Sequence, residues 1–574
     1  MAGKIFVKKP KSVAGQMLLA YIIGTVIILI FHYIFPTPWN IHSVECWWKC
    51  IFILGVYSTL NCLILSGGFL TKTITSKKKA KLVFAPFLAP LVLIVAFFVC
   101  NFTGAEILHS SRYAKIIQVE EVTSDSILSE KDAESIALMD TSSARQLGDR
   151  EIGAIENFSA FNVSDDYVQL NVEGDAVKIA PLEYVGFFKW LNNQKQGVMG
   201  YVSVSPTTMT ADYVELKEGL QYVPSAYFSK DLYRHLHYQF PTKIIGNIHF
   251  EIDENGKPYY VTSVFDKTIG IFGGEVVIGA IITDPINGES EYYSIDEIPQ
   301  WVDYVVPGNL ICELYNISHK NINGFWNGTS FGANTGCMQT TTINSSMESD
   351  DIEAEAGTDY GYIAKEGDIY VYTGVTSMAA DSSNLGFIMV NQRTGEYKYV
   401  SVSSANEQSA MNAAEGEVQQ YGYRASFPTL INVDNELSYI GVLKDQSGLV
   451  KMYYMVNVKD YGKVAVANTR ESCVDLYAQK LGLDLKEEIL GTQEDNNETE
   501  KISVSFIISV IQFVDINGNT YVYMGTEDGM VYKALFHKND SLLFAEVGDT
   551  VTGFLQNDEL TVEKVERTSP VDRF

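Results

Sequence analysis

VFAPFLAPLVLIVAFFVCNF, from Val83 to Phe102, is an uncharged stretch long enough to cross a bilayer as a helix. At 1.5 Å per residue, about 20 residues span a ~30 Å hydrocarbon core. The side on which this stretch exits decides where everything after Thr103 lies. Two further apolar runs precede it, Ala14 to Phe35 and about Trp47 to Phe69. The first is too long for a signal peptide and is not followed by a small-residue cleavage site. Tyr33, Trp39, Trp47 and Trp48 stand at the ends of these runs, where amphipathic rings favour the membrane interface.

Lysine sets the orientation. Lys4, Lys8, Lys9 and Lys11 precede the first run, and Lys72, Lys77, Lys78, Lys79 and Lys81 separate the second from the third. The short loop between the first and second carries only Glu45 and Lys49. Positively charged flanks stay in the cytoplasm. The expected arrangement is therefore a three-helix transmembrane anchor over 1–103, multi-pass in the cell membrane. Its N-terminus is cytoplasmic and residues 104–574 are extracytoplasmic. Pro86 and Pro90 predict a mild kink near the cytoplasmic end of the third helix. None of the runs carries an acid, Arg or Lys at mid-membrane, and His32 lies near the outer end of the first. Transport pathways and proton relays need such groups, so the helices read as an anchor in the lipid bilayer rather than a pore.

Charge is unevenly placed. Through Phe102 ten lysines face one acid, a net of +9, which leaves −37 on the remainder of a chain whose total is −28. So acidic a surface repels phosphate backbones, and no nucleic-acid partner is expected. Four of the seven cysteines, Cys46, Cys50, Cys62 and Cys100, lie in or beside the apolar runs. Cys312, Cys337 and Cys473 are too few for a disulfide scaffold in an exported region of this size. A Cys312–Cys337 bridge and three buried thiols are the two readings left open.

Residues 104–165 are polar and helix-prone, with a capping-box-like start at Ser129-Glu-Lys-Asp132, and are expected to form a helical stalk. Beyond it the chain turns to aromatic and β-branched runs broken by turn residues. Glu173-Gly174-Asp175 recurs as Glu366-Gly367-Asp368, and Gly200-Tyr-Val-Ser-Val204 as Gly386-Phe-Ile-Met-Val390. Phe240-Pro241-Thr242 recurs as Phe427-Pro428-Thr429, and Asp253-Glu254-Asn255 is echoed by Asp434-Asn435-Glu436. Four marks in one order at nearly constant offset predict a tandem duplication. Copy 1 of this α+β unit covers 166–295 and copy 2 covers 363–483, with 296–362 as an insertion between them. Phe240 and Phe427 are expected to be buried, with Pro241 and Pro428 opening the next strand. Helical stretches are expected around Ser229–Tyr238, Ile298–Leu314 and Ala405–Gln420.

Within the copies a smaller unit repeats: an apolar strand, a turn, a second strand. It begins at Gly200, Gly279, Gly386 and Tyr453. Val390-Asn-Gln-Arg-Thr-Gly-Glu396, and after it Asp284-Pro-Ile-Asn-Gly-Glu289, resembles the hairpin of the PepSY module, a helix followed by antiparallel strands. The first and fourth units depart: Ser205–Thr208 has no glycine, and the glycine of Lys459–Lys463 is shifted. The overall layout is similar to large membrane proteins of Gram-positive bacteria. PepSY modules accompany peptidase propeptides and envelope regulation. The resemblance thus implies a role in restraining or localising envelope enzymes.

Residues 484–500 form an acidic linker, and 501–574 read as short strands with turns at Asp515-Ile-Asn-Gly518 and Glu527-Asp-Gly529. An OB-like or SH3-like β-barrel is expected there. The fold class is thus N-terminal transmembrane α-helices, an α+β extracytoplasmic region of duplicated antiparallel-sheet units, and a small C-terminal barrel.

The chain offers little chemistry by motif. Gly328-Thr-Ser330-Phe-Gly332 fits G-x-S-x-G, but a nucleophile elbow needs a strand before Ser330 and a helix after it, and a Gly/Asn/Thr-rich loop follows instead. His235 and His237, with His249 nearby, share a metal only if they lie on a strand, since i and i+2 diverge on a helix. Asp253–Gly256 and Asp515–Gly518 resemble Ca²⁺ loops but lack the acid twelve positions on, and read as hairpin turns. No catalytic residue, cofactor or metal site is implied. The leading expectation is a non-catalytic interaction or scaffold protein of the cell envelope, whose partner is an envelope protein or peptide. The alternative is an envelope hydrolase acting on cell-wall material through paired carboxylates.

Overall fold

The computed structural model describes residues 13–65, 85–123, 141–153, 160–172, 175–206, 208–341, 360–433, 436–482, 502–516, 519–527, 529–536, 539–556 and 559–566. The lysines before the first helix, the lysine-rich loop, the Ser129 capping box and the 484–500 linker lie outside these residues. The chain divides into one unit through Ala465 and another from Val466.

Three apolar helices open the chain: α1 (Val13–Ile34), α2 (Val44–Leu65) and α3 (Leu88–Thr103). Two stretches, Val44–Leu63 and Ala85–Thr103, are long and apolar enough to cross a membrane. The helices α1 and α2 pack where Gly24 lets Leu60 approach, and Thr25 Oγ1 and Tyr57 Oη share a hydrogen bond of 2.9 Å. The expected kink takes another form. Pro86 lies in a 3₁₀ turn (Ala85–Phe87) and Pro90 in the first turn of α3. At a helix start the missing N–H has no partner to lose, so neither proline bends the helix.

No free stalk follows. Helix α4 (Glu106–Tyr113) ends in the buried Tyr113, and β1 (Val119–Glu121) pairs in parallel with a strand nearly three hundred residues later. Helix α5 (Thr141–Gly153) buries Ala144 and Ile152 in the first core. The polar sequence of this segment marks one exposed face of packed elements.

A sheet follows: β2 (Phe161–Val163), β3 (Val168–Val172), β4 (Asp175–Tyr184), then helix α6 (Phe187–Asn193), β5 (Val198–Ser205) and β6 (Thr210–Leu220). Its order is β2-β4-β5-β6, with β3 also on β4. Helix α7 (Leu232–Gln239) leads to a meander of β7 (Ile244–Ile252), β8 (Pro258–Ile269), β9 (Gly273–Thr283) and β10 (Ser290–Ser294). Both sheets share one core that includes Leu170, Ile179, Val202, Leu236, Phe250 and Ile281.

A second helix-and-sheet region follows. Helix α8 (Gly308–Lys320) is followed by β11 (Met338–Thr340), β12 (Gly361–Lys365), β13 (Asp368–Ser377), β14 (Ala380–Asn391) and β15 (Tyr397–Ser404). The sheet runs β15-β14-β13-β11, with β12 also on β13 and β1 on β15. Helix α9 (Glu407–Glu417) leads to β16 (Arg424–Ala425), β17 (Thr429–Val433), β18 (Glu436–Lys444), β19 (Val450–Asn457) and β20 (Val464–Ala467).

Four expectations need correction here. The described parts of 296–362 do not stand apart as an insertion: α8 packs on β13–β15 through Ile311 and Tyr315, and β11 extends that sheet. The helix expected from Ile298 starts only at Gly308, because Val302 and Val305 lie buried on the β7–β10 meander and Pro299 and Pro307 interrupt the backbone ladder. Phe240 and Phe427 are only half-buried. Pro428 directly precedes β17, whereas Pro241 stands three residues before β7.

Gly200 and Gly386 both follow a register shift in the second long strand of their sheets, pairing with Glu215 and Ser401. The hairpin loops share one form. Asp284, Asn391 and Asn457 each cap a loop by accepting its backbone N–H groups. Gly288 and Gly395 close two of these loops at φ +83° and +74°. The glycine-free first unit makes the same loop: Ser205 Oγ accepts from Thr208 N, and Met209 takes the left-handed position at φ +58°.

In the second unit, helix α10 (Arg470–Leu481) precedes β21 (Ile502–Ile507), β22 (Val510–Ile516), β23 (Asn519–Gly525), β24 (Val531–Leu535), β25 (Thr550–Gln556) and β26 (Glu559–Glu566). The order is β21-β25-β26-β24-β23-β22 around a core of Val522, Met524, Leu542 and Val551. Strands β21 and β22 are the two edges, so the strands form an open half-barrel sheet rather than the closed barrel expected.

Candidate functional site

Strand β7 alternates its faces. Phe250 enters the first core, while His249 and Glu251 point to the other side, toward the 298–306 segment. Glu251 is fully buried and accepts the backbone N–H groups of Asp303 at 2.9 Å and Tyr304 at 3.1 Å. It thereby fixes the segment that carries the chain toward α8. Burial pushes the Glu251 carboxyl up to about 7, against those two hydrogen bonds and the charge of His249. Asp303 is also buried, and its Oδ2 accepts from Asn171 N at 2.7 Å. Burial first, then the charge of Glu251, holds it well above the usual carboxylate range. Next to this pair, Asp368 takes a bidentate bond from Arg393 at 2.8 Å to each oxygen.

His249 lies on the opening side of this acid pair. Its Nδ1 is 3.2 Å from Asp166 Oδ2, and its ring centroid is 3.8 Å from that of Tyr304. Its Nε2 is buried without a hydrogen-bond partner. A cavity of about 110 Å³ opens here. Asp166, Gln169, Asn247 and His249 come from the first sheet region, and Tyr304, Asn309, Tyr360, Tyr362 and Gln392 from the second region and its lead-in. Asp166, Tyr167, Asn247 and His249 also wall a wider groove of about 540 Å³ that holds Arg145, Asp165, Glu183 and Tyr233. Burial, with the charges of Asp165 and Asp166, keeps the Glu183 carboxyl above its usual range against a hydrogen bond with Ser164.

This lining is polar and aromatic, with donors and acceptors on several sides, as a site for a polar ligand requires. Among the described residues no hydroxyl or thiol is hydrogen-bonded to Nε2 of His249, the place a triad nucleophile would take.

The residues singled out by motif lie elsewhere, apart from His249. Ser330 sits in a run of turns with neither strand nor helix beside it. His235 and His237 are on α7 and face apart. His235 Nε2 bonds Gly288 O at 2.7 Å, and His237 Nδ1 bonds Tyr233 O at 3.0 Å. No group of three His, Cys, Asp or Glu suited to a metal occurs among the described residues. Asp253 is a hairpin turn that accepts from Asn255 N and Lys257 N, and Ile516 pairs with Asn519 across the other proposed loop. Cys312, Cys337 and Cys473 are buried and form no disulfide, and Cys337 Sγ contacts Asn327 Nδ2 and Lys320 O.

Comparison with known proteins adds no family. No family model matches the chain, and no curated protein matches it. Among solved structures, two variants of a B. megaterium levansucrase are similar at 11% identity. One covers 79% of this chain and 97% of its own at a TM-score of 0.18; the other covers 76% and 98% at 0.17. At such scores nothing about this chain follows from the likeness.

Proposed function

We propose that this chain is a membrane-anchored, extracytoplasmic interaction or scaffold protein of the cell envelope, built from two copies of one α+β unit. Its binding site is the cavity between them. The observation that carries this reading is the buried, unpartnered Nε2 of His249 in a polar cavity drawn from both sheet regions. The sheet region also meets the α1–α2 loop directly. Trp39 N–H donates to Pro241 O at 2.6 Å, Asn40 Nδ2 to Thr242 O at 3.0 Å, and His42 Nδ1 lies 2.8 Å from Ile271 O. That loop is the lysine-poor, outer one, which agrees with an extracytoplasmic sheet region. The PepSY-like reading of the hairpins rests on their common loop geometry and implies an envelope protein or peptide as partner.

Two experiments test this. A reporter fused after Phe574 should be active only outside the cytoplasm, and one inserted near Thr75 only inside; the reverse would refute the topology. A photo-crosslinking residue at Asn309, exposed at the cavity mouth, should give one discrete protein or peptide adduct in intact cells. Its yield should fall when His249 is changed to Ala. A diffuse or absent adduct would refute the binding site.

A second reading is favoured by Glu183, whose raised carboxyl lines one concave groove together with Asp165 and Asp166. That arrangement suits an acid and a base acting on a glycan of the cell wall. Turnover of cell-wall fragments by the full chain, abolished in Glu183→Gln, would support the hydrolase over the scaffold.

A further inference from the structure

We propose that a cluster of aromatic side chains on the first sheet region inserts into the outer interface of the same bilayer that the helices cross. The proposal rests on the membrane-anchor reading above. Phe187, Phe188, Trp190, Tyr227 and Phe228 form one cluster, with ring centroids 5.2 to 6.1 Å apart. Trp190 is buried at its base, while Phe188 is 77% exposed and Phe228 53% exposed. Val185 and Leu191 extend the exposed apolar rim. So large an apolar cluster on an otherwise acidic surface calls for an apolar cover.

Its place in the fold says what that cover is. The guanidinium of Arg234 donates to Phe228 O at 2.5 Å and to Tyr33 O at 2.9 Å, and lies 4.7 Å from the Tyr33 ring centroid. Tyr33 and Ile34 end α1, and with Pro224 to Phe228 they line one shared recess. Phe228 is therefore tied to the outer end of an apolar helix, at the depth where aromatic belts sit. It also holds φ +56°, a left-handed conformation that bulky side chains rarely adopt. Lys189 follows the exposed Phe188 in the chain and supplies a cation for headgroup phosphates, whereas the Lys230 ammonium lies over the Tyr222 ring. The occupant is thus phospholipid: acyl chains at Phe188 and Phe228, headgroups at Lys189.

Benzoylphenylalanine placed at position 188 of the full chain in native membranes tests this without disturbing the fold. Irradiation should give phospholipid adducts at about tenfold the yield of the same probe at Phe331, a loop residue that is 94% exposed. A probe at Val95, on the exposed face of α3, reports on the anchor itself. Lipid adducts at Val95 but not at position 188 would overturn this proposal alone. No lipid adduct at Val95 would overturn the anchor reading. Adducts at position 188 with a second copy or with another protein would show that a protein covers the cluster, and would refute the lipid assignment.

Discussion

Tyr399 lies across Gly386. Its hydroxyl donates to Leu385 O at 3.2 Å, and a methyl group on Gly386 would come within 2.6 Å of the Tyr399 oxygen. Tyr213 stands over Gly200 in the same way, bonding Met199 O at 3.3 Å, and Tyr292 over Gly279, bonding Ile278 O at 3.2 Å. In each case the tyrosine pairs with the residue two beyond the glycine. The glycine has no side chain of its own to cover the sheet, and the diagonal ring fills that space. Tyr399→Phe should cost about 1 kcal/mol, the net worth of one hydrogen bond. Gly386→Ala should cost about 1–3 kcal/mol through overpacking, both read by chemical denaturation. Equal, negligible losses would mean the pair does not hold the strand.

The left-handed loop positions give a second prediction. Gly395 has φ +74°, and a methyl group added there would meet only Val306 Cγ2, at 3.6 Å. Gly395→Ala should therefore lose about 1 kcal/mol for conformational reasons alone. Met209→Gly at the matching site relieves the same strain but gives up packing on the first core, so its stability should change by less than Gly395→Ala does. Denaturant midpoints of the two variants, compared with the parent, check this order.

Glu251 predicts a pH dependence. Its carboxyl is raised from 4.5 to about 7 in the fold, so the native state holds a proton that the unfolded chain has already released. Stability contributed by this group is fully present below about pH 4.5 and is lost as pH rises through about 7. Between pH 5 and pH 8, Glu251→Gln should gain about 3 kcal/mol relative to the parent, from a shift of this size. Parallel stability curves for the two proteins would refute the raised value.

Gly104 predicts how tightly the sheet region sits on the helices. A methyl there would come within 2.8 Å of Gly273 N and 3.1 Å of Ile269 O, and Tyr113 Oη donates to Gly104 O at 2.5 Å. The tip of the β8–β9 hairpin also places Phe272 against Trp47 and Phe97. Gly104→Val should open this contact, costing about 1–3 kcal/mol in detergent and exposing residues 104–118 to protease. Unchanged proteolysis would show that the two parts are not coupled there.

Much of this architecture is local and legible in the amino-acid sequence. Apolar length marks the helices, because a bilayer-length run without charge has few other uses. The Asn391–Glu396 and Asp284–Glu289 loops are legible because Asx capping and glycine at positive φ are written in adjacent residues. Tertiary structure decided the rest. Helices α5 and α8 pack into the sheet regions because each buries one narrow face, which a mainly polar composition conceals. The barrel stays open because closure depends on how β21 and β22 meet, and no local pattern specifies that pairing. The site was least legible of all. Asp166, His249 and Tyr304 come from distant parts of the chain, and only folding brings them to one cavity and, by removing water from Glu251 and Asp303 together, raises those two carboxyls.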